Sequence, residues 1–495
     1  MTKSDEPTPS SGIQSPSDYA DQATSLFTEA VSNDLRGDIM SRAGAIESNA
    51  KWPRRVWWAA VDKAKFQELI QDIRILTTEL WRLLDPLRQD DMSQSLQIIL
   101  SHVIGMTESL ENMQTLQQAL LQSKAPTQDQ IEGSALASVA ELKLRRMQLS
   151  PWKQTTIGSS VDVISLDGKV DPRMGGASDI SEDFQSDVDI DLVTDFIPLK
   201  NNETIGIALY KGNPVLIEHK TLPSISKSKL LQRAKDLALL LSAPKDPSFR
   251  SLRCCALASN STNTKLAFIF TLPPSLPIPQ SPSLPPPQLS SLRNIFSLTP
   301  SITTRISLAL KLVQSLRWFH AANWLHKDIR SEHILFPSTP SGPDLTSPII
   351  AGFAFSRADS PAAISEQPSS NWQRDLYRHP DAMGEPTTAF TKDKDIYALA
   401  TVLVEIGEWR SLKSILGGLI DTRRYDVSLI ELSKVKPWLQ GKGVEGLGFR
   451  MGEVYSGVVE MMLANEVPER RREGEGVRLA GVLDTGVREL GRCVV

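Results

Sequence analysis

The sequence predicts a multidomain chain, with an α-helical bundle at the front and an α+β region behind it. Three observations carry that reading. The chain has 495 residues, which at roughly 100–200 residues per domain means two or three domains. Apolar side chains between Met92 and Met113 step in a 4-3 rhythm, the period of packed helices. Between Phe196 and Phe270 the pattern changes to short apolar runs separated by Asn and Gly, the mark of strands and tight turns.

Composition narrows the function classes. Hydrophobic residues make up 40% and charged residues 23%, enough to build cores. Lys plus Arg total 54 against 58 Asp plus Glu, a net charge of -4, so no long-range field attracts nucleic acid, and no nucleic-acid partner is expected. Cys254, Cys255 and Cys493 are the only cysteines. They form no disulfide framework, which favours a reducing compartment. No run of 18 apolar residues exists, so no transmembrane segment is expected. The polar start, Met1 to Asp18, lacks the basic-then-apolar order of a secretory signal. A cytoplasmic location is the expectation.

Residues 1–23 are expected to be disordered, because Ser, Pro and Thr cannot offset ordering entropy. A helical bundle is expected over 24–150. Leu69, Ile70, Ile73, Leu76, Leu80, Leu83 and Leu84 form one helical face, which Pro86 stops. Met92, Leu96, Ile99, Val103, Met106, Leu110 and Met113 then predict one helix over 92–120, of about 30 residues in a bundle or coiled coil. A turn near Pro86–Asp91 folds the two into an αα-hairpin. A third helix is expected from Gln130 to Met147. The heptads of 92–120 are the expected contact for a protein partner.

Residues 151–190 read as an acidic linker. Asp162, Asp167, Asp171, Asp179, Glu182, Asp183, Asp187, Asp189, Asp191 and Asp195 face only Lys169 and Arg173 over 158–195. The Asp spacing does not fit a calcium-binding loop. Strands are then expected at Phe196–Leu199, Ile205–Tyr210 and Pro214–Lys220, a helix at Ser226–Leu241, and strands at Leu252–Ala258 and Lys265–Phe270. This order makes a small antiparallel sheet with one helix. Eight prolines fall within 273–287, which excludes helix and strand there. Helices are expected at Thr303–Phe319, Lys394–Glu408 and Glu453–Leu463.

The most informative stretch is His326-Lys327-Asp328-Ile329-Arg330-Ser331-Glu332-His333-Ile334-Leu335-Phe336. It resembles the catalytic loop of eukaryotic protein kinases, H-R-D-L-x-x-x-N before an apolar strand. Other pieces follow in kinase order. Val215–Lys220 is similar to the V-A-I-K strand, with Lys220 in the phosphate-lysine position. Ile350-Ala351-Gly352-Phe353-Ala354 lies where D-F-G is expected. Tyr377–Asp381 resembles the A-P-E end of an activation segment. Asp395–Leu399 resembles the large helix whose aspartate props the catalytic loop. The resemblance implies a bilobal protein-kinase-like domain over 191–495, with an N-lobe at 191–272, the Pro-rich insert at 273–287 and a C-lobe at 288–495.

Against that pattern the chemistry is depleted. Phosphoryl transfer depends on positioning and on magnesium held against the phosphates, and magnesium needs oxygen ligands. The resemblance places Gly352 and His333 at the two metal-ligand positions, and neither offers an oxygen. The turn Pro198–Gly206 lacks the glycines that let backbone amides approach phosphate, and it carries Glu203. The helix 226–241 has no glutamate for Lys220; Asp236 is its one acidic residue. Asp328 is a vestigial base or a cap for loop amides, Arg330 stands where a phosphate-contacting lysine is usual, and Lys220 is a phosphate lysine or a surface residue. No metal site is assigned. His320, His326 and His333 are too irregularly spaced to form one, and Arg470–Arg472 read as a solvated surface. No cofactor is required on this reading. ATP is compatible with it and magnesium is not expected.

Trp52-Pro53-Arg54-Arg55-Val56-Trp57-Trp58 followed by Asp62-Lys63-Ala64-Lys65-Phe66 and the helix 66–84 resembles the fungal HeLo domain. That family is linked to prion inhibition and propagation and to heterokaryon incompatibility. The polar N-terminus departs from the apolar first helix associated with its membrane-acting members. Trp52, Trp57 and Trp58 serve a bundle core or a lipid interface. Together the two resemblances imply a pseudokinase signalling or scaffold protein in self/non-self recognition or regulated cell death. The alternatives are an active Ser/Thr kinase with unusual metal binding and a membrane-acting executioner.

Overall fold

The structure is a computed structural model. It describes residues 71–72, 75–76, 86–122, 130–149, 184–223, 227–273, 288–359, 366, 371–384, 389–421, 423–424, 426–465 and 481–493, all within the compact unit Lys63–Val495. The expected disorder of 1–23, the tryptophans at 52–58, most of the helix 66–84, most of the acidic and proline-rich stretches, and Arg470–Arg472 lie outside them.

Among the described residues, after helical positions at 71–72 and 75–76, come the helices α1 (Pro86–Met106), α2 (Leu110–Gln122) and α3 (Gln130–Leu149). The expected turn at Pro86–Asp91 is instead the opening of α1. Proline fits there because its missing N–H would be unbonded at a first helical position anyway. The single helix expected over 92–120 is two helices. Thr107 Oγ1 turns back onto the Val103 carbonyl, and Ser109 Oγ accepts from Asn112 N to start α2, a local competition that Ser and Thr bring to helix interiors.

The heptad seam is also displaced. α1 buries Gln97, Ser101 and Ile104, while Ile99 is 52% and Met106 47% exposed. α2 buries Met113 and Leu116 against α3.

A six-stranded sheet follows, made of β1 (Gln185–Asp189), β2 (Val193–Leu199), β3 (Asn202–Tyr210), β4 (Asn213–Thr221), β5 (Cys254–Ser259) and β6 (Lys265–Thr271). Its order is β1-β5-β6-β4-β3-β2. All pairs are antiparallel except β1 with β5. The linker expected over 151–190 therefore ends inside the sheet. Helix α4 (Lys227–Leu241) packs on β5 through Leu230, Ala234, Leu237 and Ala238.

Beyond the sheet come β7 (Leu289–Ser291), α5 (Ile302–Ala321), β8 (Trp324–Leu325), β9 (Ile334–Thr339), β10 (Gly342–Pro343), β11 (Ile349–Ile350), β12 (Arg357–Ala358), α6 (Lys392–Glu408), α7 (Glu453–Ala464) and α8 (Gly481–Gly491). α5 starts where Ser301 Oγ accepts from Thr304 N, a standard N-cap. α6 is buried on nearly every side and packs with α5 and α7. Among the described residues no helix is long and apolar enough to cross a membrane.

Candidate functional site

The loop after β8 is fixed from α6. Asp395 is fully buried, and its two oxygens accept from His326 N at 2.7 Å and Lys327 N at 2.8 Å. His320 adds a contact at 3.3 Å. Lys327 takes a left-handed φ of 72°, a conformation that costs a non-glycine residue energy and needs such support. His326 Nδ1 accepts from Asp328 N, so its Nε2–H faces the Ala351 carbonyl at 3.1 Å. Burial lowers its pKa, and the ring works as a neutral spacer.

Asp328 is fully committed. Arg374 grips it with both arms, Nε to Oδ1 at 3.0 Å and Nη2 to Oδ2 at 2.6 Å. Arg330 Nε lies 3.6 Å and His333 Nδ1 3.5 Å from the same carboxylate. Burial would raise its pKa, but Arg330 and Arg374 override that and hold it below the usual carboxylate range. A bidentate guanidinium pair is among the strongest polar contacts available, and a carboxylate so held is a poor proton acceptor.

His333 and Gly352 form one packing unit. His333 Nδ1 donates to the Asp328 carbonyl at 2.7 Å, and its Nε2 accepts from Arg330 at 2.8 Å. Burial, with Arg330, keeps the ring neutral. Gly352 has φ 88°, and a Cβ built on it would lie 2.1 Å from His333 Nδ1. The imidazole thus occupies the space a side chain at 352 would need.

Lys220 on β4 is not a surface residue. Its Nζ bonds Glu366 Oε2 at 2.5 Å and the Ala354 carbonyl at 2.7 Å, and it lies 4.8 Å from the Phe355 ring centroid. Burial lowers its pKa to about 8, with Glu366 pulling upward. Asp236 bonds Gln232 instead. The residue that α4 sends toward this point is a cation: Arg233 reaches Glu366 at 3.0 Å, the Phe355 carbonyl at 2.6 Å and the Ser356 carbonyl at 3.0 Å.

Two carboxylates here were missed in the sequence. Glu218, two positions before Lys220 and on the same strand face, accepts from Gly352 N at 2.7 Å and Phe353 N at 2.9 Å. Burial pushes its carboxyl up to about 7, against the pull of those amides. A glutamate inside an apolar strand was the available signal, since alternation aims it at the same side as Lys220. Glu366 gave no such signal. The β2–β3 turn is also occupied: Asn201 donates to Asn294 Oδ1 at 2.8 Å, and Asn294 donates to the Lys200 carbonyl at 3.0 Å. Glu203 is exposed.

A second polar cluster joins the first helices to the last. Asp484 on α8 accepts from Arg317 Nε on α5 at 2.5 Å and contacts His102 Nε2 on α1 at 2.8 Å. Lys143 on α3 donates to the carbonyls of Ile104 at 2.5 Å and Gly105 at 2.7 Å, capping the end of α1. Asn323 donates to the same Gly105 carbonyl at 2.9 Å.

The family model for HeLo, described as prion-inhibition and propagation, matches residues 3–121. The match takes in α1 and α2 and stops before α3. No curated protein matches the chain.

Proposed function

We propose that residues 184–495 form a kinase-like module that does not transfer phosphate. The chain then acts as a signalling or scaffold protein, pairing that module with HeLo-type helices in self/non-self recognition or regulated cell death. The engagement of Asp328 by Arg374 carries this reading. Its carboxylate stands at the position of the kinase base and is already bound on both oxygens. Gly352 and His333, at the positions of the metal ligands, satisfy each other instead. Charge neutralisation supplies several kcal/mol of such barriers, so its loss costs on the order of 10³-fold in rate. The sheet with one helix, the helical region behind it and the hold of Asp395 on the loop support the kinase-like assignment.

The module's second role is to hold the helices. Asp484, Arg317 and Asn323 belong to the C-terminal region, and each contacts α1 or a group that does. The deciding experiment incubates radiolabelled ATP and magnesium with the full-length protein and with Asp328→Ala. The expected result is no difference in transfer. Transfer by the wild-type chain that vanishes in the variant overturns the non-catalytic reading.

A further inference from the structure

We propose that Glu218, Lys220 and Arg233 form a lock that bolts the sheet and α4 onto residues 352–356, and that it shuts the space between them to nucleotide, with or without magnesium. The lock stands on its contacts alone. Its bearing on nucleotide rests on the kinase-like reading, which puts the ligand of such a module between the sheet and this segment. Five successive residues each give one backbone group to the lock. Glu218 on β4 accepts from Gly352 N at 2.7 Å and Phe353 N at 2.9 Å. Lys220, on the same strand face, donates to the Ala354 carbonyl at 2.7 Å. Arg233 on α4 donates through Nη2 to the Phe355 carbonyl at 2.6 Å and the Ser356 carbonyl at 3.0 Å. The segment is held from its other side as well. Ala351 N donates to the His333 carbonyl at 2.9 Å, Ser356 Oγ donates to the His326 carbonyl at 2.8 Å, and the His333 ring fills the space beside Gly352.

The chemistry of each contact is matched. A carboxyl group meets two N–H donors, and two cationic groups meet three carbonyl acceptors. Hydrogen bonds to charged partners are the stronger class. Breaking one here leaves a buried backbone group unpaired, which costs more than the bond itself returns. The burial of the side chains at the ligand positions agrees with a shut cleft. Glu218, Lys220, Asp328 and His333 are each no more than 6% exposed. Small-molecule sites are concave and usually formed before the ligand arrives, so their lining side chains face water until then. These four do not. A nucleotide entering at this point would have to part the sheet and α4 from 352–356 and undo all five bonds.

Two measurements on the full-length protein test the lock. A ligand of the folded state must raise the melting midpoint. Thermal melts with ATP or ADP, each in EDTA and again in magnesium, should therefore show no saturable rise up to about 1 mM nucleotide. Hydrogen exchange should find the amides of Gly352 and Phe353 as protected as those of β4 in the wild type. In Glu218→Ala those two amides should exchange at least about tenfold faster while β3 and β6 keep their protection. A saturable rise with either nucleotide, fast exchange at 352 and 353 in the wild type, or unchanged exchange there in Glu218→Ala would each overturn the proposal. The wild-type measurements need no substitution to be tolerated, so a variant that fails to fold does not shelter it. Nucleotide bound without phosphate transfer sinks the lock and leaves the non-catalytic reading standing, so the two proposals fail separately.

Discussion

The loop region after β8 and the seam between the first and last helices both bury charge, but they distribute it differently. Around the loop three carboxylates are held separately: Asp328 by Arg374, Glu218 by two backbone N–H groups, and Glu366 by Lys220 and Arg233. At the seam one carboxylate, Asp484, serves both Arg317 and His102, beside the bonds of Lys143 and Asn323 to the end of α1. Losing Asp484 therefore removes both charged contacts of the seam at once, whereas no single carboxylate holds the loop region.

The largest effect expected from breaking this contrast is at Gly352. Gly352→Asp forces a side chain into His333 at a positive φ, and should destabilise the chain by about 3 kcal/mol. Adding His333→Asn should recover much of that loss, and denaturant melts of the two single variants and the double give the coupling. Additive losses would refute the packing unit.

Next is Asp484. Asp484→Asn removes the carboxylate charge that Arg317 and His102 share and should cost about 2–3 kcal/mol. Hydrogen exchange should rise in α1 and α3 while the sheet stays protected. Equal loosening of the sheet would mean that the seam is not a separate joint.

The third effect is a slope. The folded state raises Glu218 from 4.5 to about 7, so it binds a proton more tightly than the unfolded chain between those values. Stability from this group is therefore full at low pH and declines as pH rises toward about 7. Glu218→Gln should flatten that decline in melts taken from pH 5 to 7. An unchanged slope would place the titration elsewhere.

Much of the sheet was legible from sequence. The expected strands 205–210, 214–220 and 265–270 sit inside β3, β4 and β6 because alternation and Asn/Gly turns mark them locally. β1 was not legible. Its residues are Gln-Ser-Asp-Val-Asp, Val188 is the one buried among its described side chains, and it is a strand because β5 offers it an edge. The 4-3 spacing over 92–113 was real but misleading, since α1 buries Gln97 and Ser101 and packs on α3 and α5, far along the chain. The roles of Asp395 and the loop were readable from motif order. Glu366 was not, because it meets Lys220 across 146 residues and no local pattern records such a meeting.

The interlock of Gly352 with His333 bears on the single substitutions open to this chain. An aspartate arriving at 352 meets an imidazole in its place, and an asparagine arriving at 333 strips Arg330 of its acceptor. Each such single change yields a poorer protein than the one that exists. The pair behaves as an interlock: either residue changed alone leaves the other without its fit.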